Sequence, residues 1–161
     1  MLIILFGLSG SGKNFVGEIL AKEFHFHYWD ADAALPEKMR EAIAHKQFFT
    51  QAMRDEMTEL VIKKIDALQS QHEHLVISQA LYKEKNRTTL SIAFPGAIFV
   101  HVKTTLENIR TRLNKRKNGI SYDYAYQISQ FFEEPLLAHK ILINESDQNA
   151  IIGQIKPWLV E

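Results

Sequence analysis

Residues 2–6, Leu-Ile-Ile-Leu-Phe, run directly into Gly7-Leu8-Ser9-Gly10-Ser11-Gly12-Lys13-Asn14, and no other stretch constrains the chain as strongly. An apolar run broken at once by closely spaced glycines describes a buried strand that ends in a turn of tight backbone approach. The octet fits the phosphate-binding pattern G-x-x-x-x-G-K-[ST] at every position but the last. Gly7, Gly10 and Gly12 permit positive φ and keep Cβ atoms away from an approaching phosphate. The amides of the loop, Ser9 and Ser11 included, then form a nest for anionic oxygens, and a helix beginning near Lys13 adds the positive end of its dipole. Lys13 reaches between the outer two phosphates of a nucleoside triphosphate. A glycine-rich turn that binds nothing is the bland alternative. The amphipathic run Phe15, Val16, Ile19, Leu20 that follows argues against it.

Asn14 departs from the pattern, which places a small hydroxyl there for Mg²⁺. A carboxamide is neutral and one atom longer, and its carbonyl oxygen is still a hard ligand. Three outcomes stay open: Asn14 coordinates directly, a water takes the place, or metal binding is weakened.

The rest of the 161 residues reads as one domain. Lys plus Arg equals Asp plus Glu at 19 each, so no charge imbalance points to a nucleic-acid or membrane partner. The absence of cysteine excludes a disulfide framework and a thiolate metal site. The N-terminus lacks the basic start and cleavage site of a signal peptide, and no stretch approaches 18 apolar residues, so a cytoplasmic enzyme is expected. Strand patterns fall at 2–6, 25–29, 75–78, 97–102 and 140–143. Helical periods fall at roughly 13–24, 33–46, 50–70, 83–91, 104–116, 122–134 and 147–160, with Thr104 or Thr105 as a cap and Pro157 dividing the last. Such alternation with short connections predicts a parallel sheet covered on both faces.

Ligands of such sheets sit beyond the carboxyl ends of the strands, which brings Asp30 and Asp32, after the second strand, toward the glycine loop. Phosphoryl transfer to an alcohol needs a carboxylate to take the hydroxyl proton and oxygens to hold Mg²⁺, and two aspartates can divide those tasks. The plain alternative is Asp32 as a helix cap. Arg54, off the apolar stripe of its helix, suits an anionic substrate group, or is a solvated arginine. The basic segment Arg110, Arg112, Lys115, Arg116, Lys117, followed by Asn118-Gly119, reads either as cations at a helix end or as a lid over the nucleotide hinged at Gly119. The seven histidines show no helical H-x-x-x-H spacing and read as strand or surface residues.

With these residues set out, nearly the whole chain resembles the small P-loop metabolite kinases, most closely the gluconate kinase family with its shikimate kinase relatives. The loop 7–13 is similar to the gluconate kinase loop, Asp30-Ala31-Asp32 to the D-x-D of both families, and Ser78-Gln79-Ala80-Leu81 to the gluconate family's C-S-A-L. Arg112-Leu113-Asn114-Lys115-Arg116 resembles R-L-x-x-R, and Gln130-Phe131-Phe132-Glu133-Glu134-Pro135 resembles Q-F-x-x-L-E-E-P. Four features differ: Asn14, Ala33-Ala34-Leu35-Pro36 where the gluconate family has His-Pro, Ser78-Gln79-Ala80 in place of the shikimate kinases' glycine triplet, and no G-H-F in the lid.

The resemblance implies a three-layer α/β/α P-loop NTPase of the nucleoside-monophosphate-kinase kind, its five-stranded parallel sheet ordered 2-3-1-4-5. It implies one kinase domain over residues 1–161, with a lid at about 115–128. ATP and Mg²⁺ are the implied cofactors, and the partner is a small-molecule substrate bound by a monomer or homodimer. Lys13, Asp30, Asp32 and Arg116 would be catalytic. Gly7, Ser9, Gly10, Ser11, Gly12, Lys13, Asn14 and Arg112 would bind the nucleotide. Asp32 and Arg54 would bind substrate, and Asn14 and Asp30 the metal. The expected activity moves the γ-phosphoryl group of ATP to a gluconate-like polyol acid. Shikimate is the alternative acceptor, and a nucleotide-binding protein with weakened or lost transfer is the alternative of another class.

Overall fold

A computed structural model describes residues 1–116 and 119–160. Lys117 and Asn118 of the expected lid lie outside the described residues. The sheet contains β1 (Leu2–Phe6), β2 (His27–Asp30), β3 (Leu75–Ser78), β4 (Ile98–Lys103) and β5 (Lys140–Ile143). All neighbours are parallel in the order β2-β3-β1-β4-β5, as expected from the resemblance.

β1 is central and wholly buried, and its side chains alternate between two cores. Leu2, Ile4 and Phe6 pack with Met57, Val61, Ile65 and Leu68 of α3 (Gln51–Gln69) and Leu90 of α4 (Glu84–Ala93). Ile3 and Leu5 pack with Val16, Ile19 and Leu20 of α1 (Lys13–Phe24) and with Ile151 and Ile155 of α7 (Gln148–Ile155). Both layers over the sheet follow from that period of two.

Several boundaries differ from the sequence reading. β2 starts at His27 because His25 takes a left-handed conformation (φ 61°) and closes α1 by donating its N–H to Leu20 O. The helix expected over 33–46 is a 3₁₀ turn, Ala31–Ala34, followed by α2 (Glu37–Ala44). Leu35 is extended between them, as a residue before proline is biased to be. Asp30 rather than Asp32 caps that turn, accepting from the amide of Asp32, which leaves the Asp32 carboxylate for the site. Thr105 caps α5 (Leu106–Lys115), and α6 (Tyr122–Ser129) stops short of Pro135. Pro157 does divide the last segment, leaving a 3₁₀ turn over Lys156–Leu159. At the free side of β5, the Gln154 carboxamide accepts from Ile143 N–H and donates to Ile143 C=O, both at 2.9 Å.

His101 on β4 is buried. Its ring stacks on Phe6 at 5.0 Å and on Phe132 at 5.3 Å. Burial, reinforced by Lys103, His139, Arg87 and Lys13, pushes its pKa down to about 4. A histidine kept neutral in the native state costs stability as the pH falls below its unfolded pKa near 6.5. Stability is therefore expected to drop by up to about 3 kcal/mol between pH 6.5 and 4 on this account. Urea denaturation across that range checks it. His101→Phe should flatten the acid limb, and an unchanged limb would reject the assignment.

Candidate active site

The loop between β1 and α1 has the conformation its glycines permit: φ is +149° at Gly7, +82° at Gly10 and +92° at Gly12. A Cβ on Gly7 would meet Val102 O at 2.5 Å, and one on Gly12 would overlap the Asn144 side chain. The amides of Gly12, Lys13 and Asn14 open α1 without a hydrogen-bond partner among the described residues, so they are available to an anion.

Lys13 is buried, its Nζ donating to the carbonyls of Gly7 and Leu8 at 3.2 and 3.1 Å. It stands 3.9 Å from Asp32 Oδ2. Burial lowers the Lys13 pKa, Asp32 and Asp30 pull it back up, and Arg116 adds to the lowering. Burial raises the Asp32 pKa, against the pull of Lys13 and of the Ala80 amide, which donates to Asp32 Oδ1 at 3.2 Å. Asp32 is thus a carboxylate of raised basicity directed into the site.

Asn14, Asp30, Tyr28 and Ser78 form one hydrogen-bonded group. Asn14 Nδ2 donates to Asp30 Oδ2 at 3.1 Å, and Tyr28 Oη donates to Asn14 Oδ1 at 2.9 Å. Ser78 Oγ donates to Asp30 Oδ1 at 3.2 Å.

A cavity of about 390 Å³ joins the glycine loop to α2 and α3. Ser9, Gly10, Gly12, Lys13, Asn14, Asp30 and Asp32 line one end, and Arg116 and Gly119 also contribute to its wall. Arg54, Arg40, Gln79, Thr58 and Tyr82 face it with Leu35, Met39, Ile43, Phe49 and Met57. Arg54 is half-buried over the rings of Phe49 and Tyr82, each 5.5 Å from the guanidinium, and has no ion pair among the described residues. Arg112 lies elsewhere. Its guanidinium donates to the carbonyls of Gly10, Ser11 and Asn144 at 3.0–3.2 Å and does not line the cavity.

The family profile described as "AAA domain" matches residues 3–128. A shikimate kinase of Sulfurihydrogenibium sp. is 31% identical over 133 residues, 82% of this chain and 78% of that protein. A probable gluconokinase of Xenopus tropicalis is 27% identical over 136 residues, 73% of this chain and 70% of that one. The chain belongs to the P-loop small-molecule kinases. The fold also superposes on a gluconokinase from Sinorhizobium meliloti 1021 with a TM-score of 0.82 at 20% identity, covering 98% of this chain and 90% of that one.

In a P-loop kinase of this kind the loop and the family together imply use of a nucleotide, typically ATP. Among the described residues no helix is long and apolar enough to cross a membrane, and no cluster of three or more His, Cys, Asp or Glu could hold a metal. Mg²⁺ at a nucleotide needs only one or two protein oxygens beside phosphates and waters, and the donor chemistry of Asp30 and Asn14 fits that demand. Arg40, Gln79, Tyr28 and Tyr82 were not among the expected site residues of the kinase. Tyr82 accepts from the Ser9 amide at 3.4 Å. Its turn is held by buried Arg87, which donates to the carbonyls of Leu81 and Tyr82 at 2.8 and 3.1 Å and lies over Phe6 and Phe132. Arg87 shares a helical face with Leu90, and that spacing was the one signal available for it.

Proposed function

We propose that the kinase transfers the γ-phosphoryl group of ATP to a hydroxyl of a small carboxylic acid, with a gluconate-like polyol acid as acceptor. One observation carries this reading. Arg54, a cation without an ion-pair partner among the described residues, faces the same cavity as Lys13, Asp30 and Asp32, so an acid held by Arg54 would extend toward the phosphate loop. Asp32 would take the proton of the acceptor hydroxyl. Lys13 would leave the carbonyls of Gly7 and Leu8 for the outer phosphates, and Arg116 would offset charge on the transferring group. Asn14 and Asp30 would hold Mg²⁺, which when bound neutralises phosphate charge.

A second reading rests on the wall formed by Leu35, Met39, Ile43, Phe49 and Met57, which suits the ring of a shikimate-like acid better than an open polyol chain. The test is ATP consumption across sugar acids, shikimate, uncharged sugars and nucleosides. Turnover with gluconate but not with the matching neutral polyol supports the first reading, and turnover with shikimate alone selects the second. Equal turnover of acids and neutral polyols would reject both. Arg54→Ala is expected to raise the acceptor KM by about 10- to 100-fold, the loss of a charged hydrogen-bond donor, with the ATP KM unchanged. An unchanged acceptor KM would remove Arg54 from that role.

A further inference from the structure

A long side chain at position 14 can serve a metal only if something holds its far end. Tyr28 of β2 lies against α1 at Gly17, where any Cβ would overlap the ring carbons Cδ2, Cε2 and Cζ. Gly17 follows Asn14 by three residues, so both share one face of the helix. This packing brings Tyr28 Oη to 2.9 Å from Asn14 Oδ1 and 2.8 Å from Ser78 Oγ. Ser78 Oγ lies 3.2 Å from Asp30 Oδ1, and Asn14 Nδ2 closes the ring at 3.1 Å from Asp30 Oδ2. A carboxamide, a carboxylate and two hydroxyls form a closed circuit.

We propose that Tyr28 and Ser78 are positioning residues for Asn14, a hydroxyl pair that lets its carboxamide serve either Asp30 or a divalent cation. The inference rests on the reading that Asn14 and Asp30 hold Mg²⁺. A hydroxyl both donates and accepts, so the pair accommodates either orientation of the amide. In the first, Asn14 N–H donates to Asp30 Oδ2, Tyr28 donates to the Asn14 carbonyl, and Ser78 gives its one proton to either Tyr28 or Asp30 Oδ1. Turning the amide by half a revolution exchanges its nitrogen and oxygen at nearly the same positions. Asn14 N–H then donates to Tyr28, Tyr28 to Ser78, and Ser78 to Asp30 Oδ1, with one acceptor for each proton.

In the second orientation the Asn14 carbonyl faces Asp30 Oδ2, and two oxygens at that spacing repel each other unless a cation joins them. Adjacent oxygens around Mg²⁺, at about 2.1 Å from the ion and at right angles, are about 3.0 Å apart. The Asn14–Asp30 separation of 3.1 Å matches that edge. The first orientation keeps Asp30 satisfied without metal, and the second supplies two ligand oxygens.

Mn²⁺ titration of the ADP complex, followed by electron paramagnetic resonance, tests the pair. Tyr28→Phe keeps the ring against Gly17 and removes only the hydroxyl. It is expected to weaken Mn²⁺ binding by about 10-fold, the range for lost outer partners of metal ligands. ADP affinity in EDTA should stay unchanged, and Ser78→Ala should weaken Mn²⁺ binding in the same direction. In an Asn14→Ala background Tyr28→Phe should have no further effect, because its influence passes through the carboxamide. Wild-type Mn²⁺ affinity in Tyr28→Phe, or losses that simply add in the double variant, would overturn the inference while leaving Asn14 and Asp30 as ligands. A wild-type ADP complex that takes up no Mn²⁺ would overturn the metal reading itself, and this inference with it.

Discussion

Lys13→Ala is expected to lower kcat by about 10³-fold, the scale of losing a directed charge on a developing anion, with the fold intact. Its ammonium is held by two loop carbonyls, sits 3.9 Å from Asp32 and borders the cavity. The same substitution strips Asp32 of the cation that restrains its pKa, so the carboxyl should become still harder to ionise. Single-turnover rates with saturating ATP, beside circular dichroism, measure both effects. Near-native turnover, or a loss that tracks unfolding, would defeat the assignment.

Asp32→Asn should cost at least about 10² in kcat, within the range for a lost general base, with ATP affinity little changed. Its pH dependence sharpens the test. Burial stabilises the protonated form and raises the Asp32 pKa above its ordinary 3.8, so the working base disappears on acidification earlier than an exposed aspartate would. The acid limb of kcat/KM for the acceptor should therefore lie at higher pH than an exposed aspartate would give, and Asp32→Asn should abolish that limb. Wild-type turnover in Asp32→Asn, or a limb that survives it, would transfer the role elsewhere. Asp30→Asn should also lower kcat by about 10² if Asp30 orients the metal.

The nucleotide half was legible in the sequence because its parts are contiguous. Strand, glycine loop, lysine and helix occupy residues 2–24, and local rules of turn and period describe them without tertiary information. The acceptor half was less so. Asp30 and Asp32 stood out as a pair, yet only coordinates show that Asp30 caps the 3₁₀ turn and thereby directs Asp32 toward Lys13. Arg112, grouped with the lid arginines by its basic neighbours, instead holds the back of the glycine loop, a contact made across more than a hundred residues. Tyr28 looked like one more aromatic residue of an alternating strand. Its role depends on the bare face of Gly17 and on Ser78, fifty residues away. Arg40 carries no motif and enters the site only because α2 borders the cavity, and Gln79, inside the stretch 78–81, gave no sign of facing the same cavity from the end of β3.

The side-chain pairing of Gln154 with the Ile143 backbone bears on how the molecule behaves in a crowded solution. A strand at the rim of a sheet offers unpaired N–H and C=O groups that can recruit a strand from another chain. On β5, Ile141 and Ile143 are exposed, so the rim also carries apolar surface that would reward such docking. Gln154 occupies both backbone groups of Ile143 from within the same molecule, as a neighbouring strand residue would. A single amide on the last α-helix thus withdraws one residue's backbone groups from edge-to-edge docking, and it does so outside the residues that line the cavity.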